Sequence, residues 1–89
     1  MDEILKTLGM RIRALRQHTG LSQGKMAVKA GLDRTYYAGI ERGERNPSVK
    51  QLAKIAAALD VPIGMLFDVS ERDQRNRDIS PNWADTAYA

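Results

Sequence analysis

Ser22-Gln23-Gly24-Lys25 has the S-x-x-K spacing of an acylating serine, and the run from Gly20 to Lys25 has the outline of a phosphate-binding loop. Neither carries through. The other elements of the serine chemistry are missing, and Ser22 is better placed to cap a helix. The loop has three residues between its glycines where four are needed, and Met26 stands where a Ser or Thr must follow the lysine. His18 is the only histidine, near a helix C-terminus where the dipole favours an imidazole without any metal. Cysteine is absent, which excludes disulfides and thiolate metal sites. With no general base, nucleophile pair or ligand cluster, neither an enzyme nor a cofactor is expected.

What remains is cationic chemistry. Fourteen Lys and Arg stand against eleven Asp and Glu, a net charge of +3. Residues 1–70 hold eleven basic and seven acidic side chains (+4), whereas residues 71–89 hold three and four (−1). A basic body with a neutral-to-acidic tail fits a nucleic-acid partner, and it also fits many proteins that bind none. Eighty-nine residues allow one domain with a modest core, on which a recognition surface is easier to build than a catalytic pocket. The opening Met1-Asp2-Glu3 is acidic where a secretory signal would be basic, and no apolar run is long enough to span a bilayer. The expectation is a cytoplasmic protein with no membrane association.

Five helical segments would position these charges. Ile4, Leu8, Ile12 and Leu15 form one apolar stripe over about residues 3–18, closed by Gly20. Gly9 within it costs about 1 kcal/mol relative to Ala, which points to close packing or plain tolerance. Ser22 caps a short second helix reaching Ala30, with Met26, Ala27 and Ala30 inward. Gly31 breaks it, Leu32 is an apolar turn residue, and Asp33 caps a third helix over 33–42 that Gly43 stops. Tyr36 and Tyr37 point about 100° apart on that helix; Tyr37 and Ile40 are assigned inward and Tyr36 outward. Residues 43–47 read as a loop, and Ser48 with Gln51 matches a capping box. The fourth helix buries Leu52, Ile55, Ala56 and Leu59. Val61-Pro62 starts a short fifth segment with Ile63, Leu66 and Phe67. The fold class is therefore all-α, with a domain over 1–69 and a polar tail over 70–89, either disordered or docked by Trp83 and Tyr88.

Residues 21–43, LSQGKMAVKAGLDRTYYAGIERG, place two short helices around a glycine turn, the grammar of a helix-turn-helix. Such a bend lets the second helix enter a major groove while the first crosses the backbone. Together with RIRALRQHTGLSQ ahead of the turn, AVKAGL within it, and IERG, NPS and LAKIAAALDVP after it, the sequence resembles the lambda-repressor and Cro-like (XRE) helix-turn-helix family. The resemblance covers about three quarters of the chain, roughly residues 4–67. The run LDRTYYAGIERGERNPS is further similar to small controller proteins of restriction–modification systems.

The resemblance implies a five-helix DNA-binding domain and assigns roles by position. Arg34, Thr35 and Tyr36 fall at base-reading positions; a guanidinium at 34 can bond both N7 and O6 of a guanine. Gln23, Arg45, Asn46 and Ser48 fall on the phosphate path, with Gln23 also supporting the recognition helix. Arg16 and Glu41 match a pair tying the first helix to that helix. Three departures stand out. Gly39 occupies a position where relatives carry a polar reader, Gly24 replaces a better helix former, and Glu44 either weakens binding or aims Arg45.

Val61, Ile63, Leu66 and Phe67 are either ordinary core or a homodimer contact, and relatives pairing through this end favour the contact. The function expected is a dimeric transcriptional regulator at a palindromic site on double-stranded DNA. The alternative is an antitoxin-type regulator or a protein-interaction adaptor on the same fold, with the tail as the partner-binding segment.

Overall fold

The computed structural model describes residues 3–67, so expectations for the tail, including Trp83 and Tyr88, lie outside the described residues. The elements in order are α1 (Glu3–Thr19), α2 (Gln23–Ala30), α3 (Arg34–Glu41), α4 (Val49–Leu59) and a 3₁₀ turn (Ile63–Leu66), with no strand among the described residues. The all-α architecture and the helix-turn-helix are as expected. The fifth helix is not. Pro62 leads directly into a four-residue segment held by i→i+3 bonds, the N–H of Met65 donating to the carbonyl of Pro62 and that of Phe67 to Gly64. Four residues give too few i→i+4 bonds to repay the nucleation of an α-helix.

Helix starts are set by side chains close in sequence. Ser22 Oγ accepts from the Lys25 N–H at 3.1 Å, Asp33 Oδ2 from that of Tyr36 at 3.1 Å, and Ser48 Oγ from that of Gln51 at 3.2 Å. Each cap satisfies an orphan donor and contributes about 1 kcal/mol. The capping box of α4 closes on one side only, because Gln51 Oε1 is buried without a hydrogen-bond partner. At the end of α2, Gly31 adopts φ 73°, which L side chains rarely reach. The turn this permits lets Leu32 N–H donate to Ala27 and Gly31 N–H to Val28, and it seats Leu32 against the core. This is the bend of the helix-turn-helix.

The core joins Leu8 and Ile12 of α1, Met26, Ala27 and Ala30 of α2, Tyr37 and Ile40 of α3, Leu52, Ile55, Ala56, Ala58 and Leu59 of α4, and Leu66. Two assignments change. Ile4 shares the stripe of Leu8 and Ile12 yet is 72% exposed, and Leu15 is only half-buried. At seventeen residues α1 is roughly twice the length of α2 and α3, so its stripe outruns the helices that could cover it. Leu66 is fully buried within the chain, which removes it as a surface for a second copy. Ile63 and Phe67 are exposed, and Val61 is half-buried.

Gly9 is a close approach. A Cβ there would lie 2.5 Å from the carbonyl oxygens of both Ile40 and Glu41, so α1 meets the end of α3 backbone to backbone. Arg11 also reaches across from α1, donating from Nε to the Met65 carbonyl at 3.0 Å and tying the 3₁₀ turn to the first helix.

Candidate nucleic-acid interface

Glu41 closes α3 and is the only buried charged residue among the described residues. Its carboxylate gathers three segments. Arg16 of α1 donates from Nε to Oε2 at 2.6 Å and from Nη2 to Oε1 at 3.2 Å, and its Nη1 donates to the Leu21 carbonyl at 2.9 Å. Gln23, at the start of α2, donates from Nε2 to Oε1 at 2.9 Å. The pair expected between Arg16 and Glu41 is present, and Gln23 completes it. Burial by itself pushes the Glu41 carboxyl up. The hydrogen bonds from Arg16 and Gln23 and the nearby Tyr37 phenol together outweigh that and hold it below the ordinary carboxylate value. Arg16 is correspondingly raised, chiefly by its hydrogen bond with Glu41. Burial, and then the neighbouring carboxylate, push the Tyr37 phenol up, although its Oη makes no hydrogen bond of regular geometry.

This lock fixes α3 against α1 and α2 from its inner face, where Tyr37, Ile40 and Glu41 lie. By helical geometry the opposite face is centred on Thr35 and Gly39, one turn apart. Arg34 and Thr35 are exposed in the first turn of α3, and Tyr36 is half-buried at the edge of the core. Arg45, Asn46 and Ser48 are exposed in the segment leading into α4. The Ser48 hydroxyl accepts the capping bond and keeps its own proton to donate outward. Arginine chemistry thus borders α3 at both ends.

The two unexpected glycines sit beneath these arginines. A Cβ at Gly24 would be in ordinary contact with Arg34, 3.7 Å from Cδ and Nε. At Gly39 it would collide with Arg45, 2.8 Å from Cγ. The Arg45 guanidinium also lies over the Tyr36 ring, 5.9 Å from its centroid. Glu44 does not aim Arg45; it forms an exposed ion pair with Arg42 at 3.0 Å. Sequence reasoning missed these seats, and glycines inside α2 and on the outward face of α3 were the signal that could have found them. Among the described residues no group of three or more His, Cys, Asp or Glu side chains could hold a metal ion, and no helix is long and apolar enough to cross a membrane.

Comparison with known proteins agrees with this geometry. The helix-turn-helix family model matches residues 12–66. The control protein C.MunI of Mycoplasma sp is 40% identical over 74 residues, covering 82% of this chain and all of the relative. Among solved structures, the restriction–modification controller protein C.AhdI from Aeromonas hydrophila superposes with a TM-score of 0.69 at 47% identity, over 70% of this chain and 94% of that one. C.Esp1396I bound to a 19-base-pair DNA duplex superposes with a TM-score of 0.70 at 36% identity, over 75% and 89%. The chain belongs to the XRE-like helix-turn-helix family of DNA-binding transcriptional regulators.

Proposed function

We propose that the chain is a sequence-specific regulator that binds double-stranded DNA as a homodimer at a palindromic operator, with α3 in the major groove, and that it controls a restriction–modification gene set. The observation that carries this reading is the Glu41-centred lock. It holds α3 rigidly at the surface with Arg34, Thr35 and Tyr36 at its leading turn. Arg34 is assigned to a guanine edge, and Gln23, Asn46 and Ser48 to the DNA backbone, with the charge of Arg45 adding to the attraction. The DNA-bound relative supports the duplex as partner, and its occurrence as a tetramer on a 35-base-pair operator supports assembly of several copies on one site. For this chain the pairing surface is assigned to Ile63 and Phe67 with the half-buried Val61, joined by Met65 and by Ile4 from α1, because Ile63, Met65 and Phe67 are apolar and solvent-exposed and Ile4 lines the same groove as Phe67.

A mobility-shift titration on duplex from upstream of its own gene, in excess random duplex, tests the reading. Retention at nanomolar to tens-of-nanomolar protein, with the random duplex competing at least a thousandfold less well, is the expected result. Equal competition would overturn sequence specificity. A neighbouring methyltransferase and endonuclease gene pair is expected beside it, and their absence would remove the restriction–modification assignment.

A further inference from the structure

Gly24 stands in the first turn of α2, and its backbone needs no glycine: positive φ is confined to Gly20, Gly31, Gly43 and Asp60. What its missing side chain leaves open is room for the first residue of α3. A Cβ at 24 would have Arg34 Cδ and Nε at 3.7 Å and Cζ at 3.9 Å as its three nearest neighbours. The end of the Arg34 stem therefore lies against the first turn of α2. Its exposed guanidinium makes no hydrogen bond or ion pair among the described residues. We propose that Gly24 is a specificity-determining position of the recognition surface, although it belongs to α2 and itself offers a base nothing: the size and charge of the side chain at 24 decide where the Arg34 fork points. A methyl there would rest on Arg34 at ordinary contact distance. Carbons branching from that methyl would run into the stem and turn it away. A glutamate would capture the guanidinium instead, because the fork that fits a guanine edge fits a carboxylate equally well and cannot serve both. Glycine does neither and leaves the fork unclaimed. The inference rests on the assignment of Arg34 to a guanine edge with α3 in a major groove.

The test is selection from a random-sequence duplex library with the wild type, G24A, G24V, G24E and R34A. The wild type should enrich an inverted repeat, and R34A should lose about tenfold or more of the discrimination at one base pair of each half-site. G24V and G24E should lose about as much at that same base pair and keep the rest of the motif, although both retain Arg34. G24A should keep the whole motif and, as an Ala-for-Gly change in a helix, melt no lower than the wild type. A motif that G24V and G24E both leave intact, or a loss they spread evenly over every position, overturns the Gly24 assignment alone. A motif unchanged in R34A overturns the Arg34 assignment and this inference with it, and leaves sequence-specific binding standing. A wild type that enriches no motif overturns all three. Should G24V fail to fold, G24E, an acidic change in a first helical turn where the dipole favours it, decides the matter.

Discussion

At the scale of single residues, Glu41 sets how firmly α3 is held. Its side chain is 2% exposed and that of Arg16 is 11%, so removing either partner leaves a charge stranded in a poorly solvated place. Arg16→Ala should cost about 3–5 kcal/mol of stability, and a double-mutant cycle with Glu41→Gln in denaturant unfolding should show coupling; additive effects would retire the pair as a structural tie. The same carboxylate makes a pH prediction. Its value in the folded chain lies below the ordinary 4.5, so its contribution is complete above that value and lost as pH falls through the lower, folded one. The stability advantage of the wild type over Glu41→Gln should therefore be flat at neutral pH and shrink below about pH 4, as measured by thermal melts across pH. An advantage that persisted into strong acid would contradict the assignment.

At the scale of elements, the crossing of α1 over α3 is set by the absence of a side chain at Gly9. Propensity alone says that Gly9→Ala should stabilise α1 by about 1 kcal/mol. The structure says the reverse, since the new methyl would meet two carbonyl oxygens that cannot move without shifting the helix end carrying Glu41. A net loss of about 1–3 kcal/mol is expected, read by denaturant unfolding; a gain would mean the two helices are not in backbone contact. Gly39→Ala is the informative contrast, being met by a side chain and not by backbone.

At the scale of the whole molecule, the proposed homodimer follows from reach: one helix in a groove reads only a few base pairs, and two copies related by a two-fold axis would double the site. Successive major-groove faces lie about 34 Å apart, which is the separation the proposed dimer must give its two α3 helices. Phe67 is 53% exposed beside Leu66, which is not, so a charge at 67 meets any partner without disturbing the core. Phe67→Glu should give a folded monomer by circular dichroism and sedimentation, with weak, non-cooperative DNA binding. A variant that stays dimeric would move the interface elsewhere on the surface.

The amino-acid order alone determined what is local. A hydroxyl or carboxylate three residues before an amide caps a helix whatever surrounds it, so Ser22, Asp33 and Ser48 could be read directly, as could Gly31 at the turn and the inward stripe of α4. The resemblance to relatives added the Arg16–Glu41 pair, which no local rule supplies across 25 residues. Tertiary structure decided the rest. Ile4 and Leu66 both sit on apolar patterns, yet one is exposed and the other buried, because periodicity says which way a side chain faces and not how much of it the neighbours cover. Gly24 and Gly39 read as weak points in two helices and became arginine seats only once the chain reversals brought Arg34 and Arg45 over them. Those contacts depend on where the helices cross, and crossing is settled by packing the whole core at once.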